Sequence, residues 1–405
     1  MLEEENVKLY KWLSPFSLIY GLGVRLRNKL FDWDILRSKS YDIPILSVGN
    51  ITVGGTGKTP HIEYLIRLLA SSYRIAILSR GYKRKTRGFV LATHSSTARE
   101  IGDEPFQIKH KFPEIVVAVD SNRRRGIEKL MRLTPEIDVI LLDDAFQHRY
   151  VAPSTSILLS DFNRMIYEDK LLPYGRLREP IGEKSRAQIV IVTKCPKDIK
   201  PIDFRIISKR LQLYPYQRLY FTGLCYDELI PLFPNEIHNP ISITNIKKDK
   251  ALLISGIASP QPFIQYIQNF VSKTESLCFP DHHSFSAKDI EKIRNRALKM
   301  KNGNTLPHII VTEKDAARLI YNPHLTNEIK QNLYYLPLKI CFLQDQGTTF
   351  DAQIKDVITK NRNKLDEKSK CEDVMNGIIK EISNEGYLKK NKNSYSKFFA
   401  IFVIK

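Results

Sequence analysis

The segment Gly49–Pro60, GNITVGGTGKTP, constrains this chain more than any other. It follows an apolar run, Ile43–Val48, that reads as a buried strand. It precedes His61–Ala70, where Ile62, Leu65, Ile66 and Leu69 recur at helical spacing. Strand, glycine-rich loop and helix in that order are the context of a phosphate-binding loop. Gly54, Gly55 and Gly57 let backbone N–H groups turn toward phosphate oxygens without Cβ clashes, and the helix N-terminus adds its positive dipole end. The expected nucleotide cradle is therefore Thr52, Val53, Gly54, Gly55, Thr56, Gly57, Lys58 and Thr59. Lys58 can reach the β- and γ-phosphates, and the Thr59 hydroxyl can ligate Mg2+. Pro60 is tolerated because first-turn N–H groups have no helical partner. One position departs from G-x-x-x-x-G-K-[ST]: its first glycine falls on Thr52. The loop alone does not choose between ATPase, GTPase and kinase.

Further strand candidates are Arg74–Ser79, Ile115–Val119, Val139–Leu142, Ile157–Ser160 and Gln188–Thr193, with helical stretches between several of them. Such alternation implies a mostly parallel sheet covered on both faces. A second α/β region begins near Tyr220. It contains strands Ala251–Ser255 and His308–Val311, a helix from the Pro260/Pro262 turn through Phe270, and a helix over Ala316–Tyr321. The Pro- and Tyr-rich stretch Lys200–Asn245 reads as the connection. At ~150 residues per domain, 405 residues suggest two or three domains. The expected architecture is α/β: a P-loop NTPase-like parallel-sheet core over 35–215, a smaller α/β domain over 216–350, an amphipathic membrane-interface segment over 1–34, and a polar tail of unassigned role over 351–405. Asn361–Lys392 reads as a weakly attached helix or as disorder. The apolar end Phe398–Ile404 is open to a strand or a membrane contact.

Trp12–Val24 carries no charge and is flanked by Lys11, Arg25, Arg27 and Lys29. Its 13 residues are too few to span a bilayer, which takes ~20. Aromatic residues with basic flanks suit a helix lying in the headgroup region; a capping helix packed on the domain is the other reading. Lys plus Arg number 63 against 44 Asp plus Glu, a net charge of +19, which calls for anionic partners such as nucleotide, phosphorylated substrate, nucleic acid or an anionic membrane face. The five cysteines are scattered with no C-x-x-C pair, which argues against a disulfide framework and fits a reducing compartment. Met1–Asn6 is acidic and no secretory cleavage pattern follows it.

Asp143 and Asp144 end the apolar run Val139–Leu142. Carboxylates at the C-terminal end of a parallel strand face the ligand crevice, the place of a Mg2+-holding Asp in P-loop enzymes. Gln147, His148 and Arg149 follow at once. Asp103, in Gly102-Asp103-Glu104-Pro105, reads as a general base or a helix N-cap, and residue type alone favours the cap. The basic runs Lys83–Arg87 and Arg123-Arg124-Arg125 are solvated loops or anion contacts. Asp281-His282-His283 lacks H-E-x-x-H spacing, so zinc is weakly supported. Arg178-Glu179, within LPYGRLREP, is a charged clamp or a loop ion pair.

Taken in order, GNITVGGTGKTP, SRGY (Ser79–Tyr82), GDEP (Gly102–Pro105), LLDDAFQH (Leu141–His148), LPYGRLREP (Leu172–Pro180), FPDHH (Phe279–His283) and TEKDA (Thr312–Ala316) form a set. That set resembles the tetraacyldisaccharide 4'-kinase family of lipid A biosynthesis, over roughly Tyr10 to Leu343. The family's loop also lacks the first glycine, so Thr52 fits; Ala145 stands where many members carry Gly. The resemblance implies a membrane-associated kinase of two α/β domains. It implies use of ATP and Mg2+ on the 4'-hydroxyl of the tetraacyl glucosamine disaccharide 1-phosphate, giving lipid IVA, at the cytoplasmic face of the inner membrane. It implies Lys58 and Thr59 at the phosphates and metal, Asp143 and Asp144 as metal carboxylates, and Asp103 as general base paired with His282. Arg123, Gln147, Arg178 and Glu179 are the substrate-side candidates, and a monomer is expected. A nucleic-acid-directed P-loop ATPase is the competing reading of the charge, although no nucleic-acid module is visible and no such partner is expected. A GTP-binding module is the third, on Val192-Thr193-Lys194, which lacks the Asp a guanine-reading loop needs.

Overall fold

Four runs, Ile45–Gly49, Ile75–Ser79, Val139–Asp143 and Ile189–Thr193, are buried at every position. A strand covered on both faces must be apolar along its whole length rather than alternately, and these runs form the middle of a parallel sheet. The computed structural model describes residues 11–362 apart from 197, 235–239, 248, 282, 302 and 304.

The first half of the chain holds α1 (Ser14–Asp32), β1 (Ile45–Gly49), α2 (Lys58–Leu69), β2 (Ile75–Ser79), β3 (Val90–Leu91), α3 (Ala98–Ile101), α4 (Asp103–Lys111), β4 (Val116–Val119), α5 (Arg123–Leu133), β5 (Val139–Asp143), β6 (Thr155–Asp161) and β7 (Ile189–Thr193). The second half holds α6 (Pro201–Leu211), β8 (Arg218–Tyr226), β9 (Ile230–Pro231), β10 (Lys250–Ser255), α7 (Gln261–Gln268), β11 (Lys273–Cys278), α8 (Ala287–Lys299), β12 (His308–Thr312), α9 (Glu313–Leu319), α10 (Asn327–Lys330), β13 (Leu333–Leu336) and β14 (Leu338–Phe342). A last helix covers 347–362.

The larger sheet runs β14-β8-β7-β6-β1-β5-β2-β4-β3 and is parallel except at its two outermost pairings. The smaller runs β11-β10-β12-β13-β9, with only β13–β9 antiparallel. The α/β expectation holds. β1 lies between β5 and β6, so chain order reverses on its two sides, and the loop after β1 opens into the crevice where such sheets bind ligands.

Two expectations are corrected. Lys200–Asn245 is more than a connection: it supplies α6 and the nine-residue β8, whose Tyr220 and Phe221 are buried. Its Pro and Tyr content hid a strand because turns bracket it on both sides. The cysteine reading also changes. β8 and β14 are the two crossings between the sheets and lie antiparallel, so Cys225 and Cys341, 116 positions apart in sequence, come together as a disulfide with Cα atoms 6.1 Å apart. The start of 351–405, to which the sequence assigns no role, is anchored. Ile354 and Ile358, with Phe350, are buried in the core against Tyr64 and Tyr220, and Tyr64 donates to Asp351 at 2.8 Å. The rest of that tail, including Phe398–Ile404, lies outside the described residues.

Helix α1 explains why its two readings were both attractive. Ser17, Gly21, Asn28 and Phe31 are buried; Ser17 donates to the Leu171 carbonyl at 2.9 Å, and Phe31 packs edge-on against Tyr150. The opposite face leaves Phe16, Leu18, Ile19, Leu22 and Leu26 exposed, as is Trp12 just before the helix. Among the described residues, no helix is long and apolar enough to cross a membrane.

Candidate active site

The cradle is built by hydrogen bonds that hold the loop open. Asn50 donates through Nδ2 to the Thr56 hydroxyl at 2.9 Å. Val53 N–H donates to the Arg176 carbonyl at 2.8 Å and Arg178 N–H to the Ile51 carbonyl at 2.7 Å, so the loop's first half pairs with the LPYGRLREP segment. Thr193 at the end of β7 donates to the Thr56 carbonyl at 2.9 Å. Gly57, the residue before α2, sits at φ +83, where a Cβ is strained. Its carbonyl accepts from Nδ1 of His61, and Nε2 of that ring contacts the Thr222 hydroxyl at 3.0 Å. A carbonyl only accepts, so Nδ1 carries the proton; burial pushes the ring's pKa down to about 4 and keeps it neutral.

Register brings the acid pair to this loop. Val48 faces Asp143 across the β1–β5 pairing. Asp143 ends the strand, 2% exposed, and accepts from Ser79 at 3.0 Å through Oδ2, while Oδ1 has no hydrogen-bond partner among the described residues. Burial, then the charges of Glu104 and Asp144, push its carboxyl up to about 7 against the pull of Lys58. Asp144 leaves the strand at φ +47, which turns its side chain toward the cradle rather than to the opposite sheet face. Its Oδ1 is 3.5 Å from Lys58 Nζ and its Oδ2 3.3 Å from Arg178 Nη1. Burial raises its carboxyl, but Lys58 and Arg178 more than offset this and hold it below the ordinary range. Thr59, in the first turn of α2, is buried at the same cleft.

The remaining site residues divide. Arg123 opens α5, is 2% exposed, and donates to the main-chain carbonyls of Asp120 and Asp143, the latter at 2.9 Å. Burial holds its pKa down to about 10. It ties the start of α5 to the end of the carboxylate strand. Gln147 donates to the Asn50 carbonyl at 2.6 Å, and its own carbonyl accepts from Arg27 of α1 at 2.8 Å. Glu179 is 1% exposed, paired with Arg186 and within reach of Asn28 on α1, so the Arg178–Glu179 pair clamps α1 and Asp144 to one loop. Asp103 is the first residue of α4 and exposed. The cap reading is corrected, since Gly102 at φ +94 is the N-cap and Asp103 is already inside the helix. A Cβ on Gly102 would meet Gly81 Cα and the Tyr82 carbonyl at 3.1 Å, so the turn that presents Asp103 demands glycine. His282 lies outside the described residues.

Sequence reasoning missed Asn50, Ser79 and Glu104, although each sat inside a motif already singled out. Their signal was position beside a motif residue; their roles depend on contacts between separate strands. The cradle opens on a cleft of about 250 Å³. One side is Gly55–Thr59 with Glu104 and Lys194, and the other is the apolar wall Leu224, Tyr226, Phe263 and Leu336.

A model of the tetraacyldisaccharide-1-P 4'-kinase family matches residues 9–359. The chain belongs to this family. A tetraacyldisaccharide 4'-kinase of Phocaeicola vulgatus is 55% identical over 363 residues, covering 89% of this chain and 98% of the relative. One of Bacteroides thetaiotaomicron is 53% identical, covering 89% and 96%. The crystal structure of LpxK from Aquifex aeolicus in complex with ATP superposes with a TM-score of 0.65 at 26% identity, over 86% of this chain and 98% of that one. Membership makes the chain an ATP-dependent kinase, and the motif resemblance is borne out over a span somewhat longer than Tyr10–Leu343.

Proposed function

We propose that the chain transfers the γ-phosphoryl group of ATP, with Mg2+, to the 4'-hydroxyl of a tetraacyl glucosamine disaccharide 1-phosphate. The observation that carries this reading is that the cradle and the carboxylates meet at the ends of neighbouring strands: Val48 is in register with Asp143, and Lys58 Nζ is 3.5 Å from Asp144 Oδ1.

Lys58 and the loop N–H groups bind the phosphates, and the apolar wall around Tyr226 and Phe263 receives the base. The metal-site residues are Thr59, Asp143 and Asp144. Among the described residues no three His, Cys, Asp or Glu converge to hold a metal unaided. Mg2+ is characteristically held by one or two carboxylates plus substrate phosphates, and the unpartnered Asp143 Oδ1 suits a cation. When bound, Mg2+ supplies charge neutralisation on the β- and γ-phosphoryl oxygens. A sugar hydroxyl is a weak nucleophile, so a carboxylate must accept its proton as the new P–O bond forms and ADP leaves. Asp103 takes that proton, with His282 as its partner. Arg178 orients Asp144, and Arg123 acts by fixing the strand that carries the acid pair.

In this reading residues 35–215 carry the phosphate chemistry and 216–350 supply the second wall. Segment 1–34 lays the exposed face of α1 into the cytoplasmic headgroup layer, where the acylated substrate resides; the enzyme works as a monomer. Family membership favours this over the nucleic-acid-directed ATPase and the GTP-binding module. The test is direct: purified protein, ATP, Mg2+ and the tetraacyl disaccharide 1-phosphate yield a product heavier by one phosphate. Absence of that product overturns the reading. Asp103→Ala lowers kcat by ~10²–10⁴; an unchanged kcat removes Asp103 from the base role.

A further inference from the structure

Asp103 is met by a residue from the second half of the chain. Arg318, in α9, lies 3.6 Å through Nη2 from Asp103 Oδ2, with side-chain exposures of 13% and 50%. The guanidinium does not reach out as a loose surface arm. Its Nη1 donates to Asp315 Oδ1 at 3.1 Å and to the Gly256 carbonyl at 3.2 Å. Asp315 is fully buried, and its Oδ2 accepts from Gly256 N–H at 2.9 Å and from the Thr312 hydroxyl at 2.6 Å. Gly256 follows β10, and the preceding Ser255 carbonyl accepts from Phe279 N–H at 2.7 Å, where the Phe279–His283 segment begins. One buried carboxylate thus fixes the fork of Arg318 and the end of β10, next to which the FPDHH segment begins. The second amino group of the fork is presented to Asp103.

We propose that Arg318 is a positioning residue for phosphoryl transfer: anchored by Asp315 and the Gly256 carbonyl, it holds the Asp103 carboxylate in one orientation and ties that orientation to the docking of the second sheet on the first. This rests on the reading of Asp103 as general base. An exposed surface ion pair contributes little, because two long side chains must both be ordered to make it. Here that ordering is already done. Arg318 is fixed by neutral and charged acceptors on its own domain, and a planar fork serves two acceptors at once, which an ammonium on a flexible stem does not. What the pair supplies is geometry, and displacement of a catalytic group by about 1 Å can lower a rate by ~10²-fold.

The experiment is a double-mutant cycle on the full chain with Arg318→Met, Asp103→Asn and the pair, measuring kcat, KM for ATP and the melting temperature. Arg318→Met lowers kcat by ~10–100-fold with KM for ATP within about threefold of wild type. In the Asp103→Asn background it lowers kcat no further than about twofold, because its effect runs through Asp103. An unchanged kcat, losses that multiply, or a matching rise in KM for ATP each overturn the inference. Should Arg318→Met fail to fold with Asp315 left unpaired, Arg318→Lys carries the same cycle. Its ammonium pairs with Asp315 but cannot fork, so the same non-additive loss of kcat is expected and the same outcomes refute it. Failure of the base reading is distinguishable: Asp103→Asn alone would then leave kcat intact.

Discussion

On the proposal that the bare face of α1 lies in a membrane interface, removing its apolar side chains should weaken binding to lipid vesicles without touching the chemistry. Leu18, Ile19 and Leu22 are 74%, 71% and 69% exposed and make no core contact, while the opposite face of the same helix is docked on the domain. Docking there is tight: a Cβ on Gly21 would meet Leu171 Cδ1 at 2.8 Å. Glutamine at all three positions keeps helix propensity and deletes the apolar area. Fully burying a Leu or Ile is worth ~1.5–3 kcal/mol, so three side chains about seven-tenths exposed offer roughly 3–6 kcal/mol to a membrane interface. At about 1.4 kcal/mol per factor of ten, the triple variant should bind vesicles ~10²–10⁴ times more weakly. The assay is co-sedimentation with anionic phospholipid vesicles at low and high salt. Arg25 and Lys29 add a screened contribution that salt removes, whereas the apolar contribution persists. kcat on detergent-dispersed substrate should be unchanged. A triple variant that still sediments within about threefold of wild type would refute the assignment of this face to the membrane.

Asp143→Asn should raise the Mg2+ concentration for half-maximal rate by roughly 10–100-fold, the scale for disturbing a metal's ligand environment; a Mg2+ titration of initial rates that does not move takes Asp143 out of the metal site. His61 yields a pH prediction. Burial holds its folded pKa near 4 against an ordinary 6.5, so below pH 6.5 the unfolded chain binds the extra proton and stability falls until about pH 4. The full loss is roughly 3 kcal/mol, at 1.36 kcal/mol per tenfold change in proton affinity. His61→Gln should flatten the fall of melting temperature between pH 6.5 and 4, and an identical slope in the variant counts against the neutral buried ring. Gly102→Ala forces a Cβ into the turn before α4 and should cost ~1–3 kcal/mol while lowering kcat through Asp103; urea melts with an unshifted midpoint contradict that.

What the sequence determined by itself was the set of local chemistries. Glycine spacing with Lys58 and Thr59 announced a phosphate cradle because it needs only contiguous residues and a helix start. The apolar runs around Leu46, Ile77, Leu141 and Ile191 announced a parallel sheet because burial on both faces leaves no alternation. The ordered motifs carried the family. Only the tertiary structure decided which of these meet. Arg123 and Gln147, which the family resemblance marks as substrate-side candidates, donate to the Asp143 and Asn50 carbonyls. Glu179 proved a buried clamp for α1, and β8 was masked by its proline-rich surroundings. Arg318, inside no catalytic motif, reaches Asp103 from α9. Strand order, register and the docking of two sheets bring residues far apart in the chain within hydrogen-bond distance, and no local spacing encodes which partners those will be.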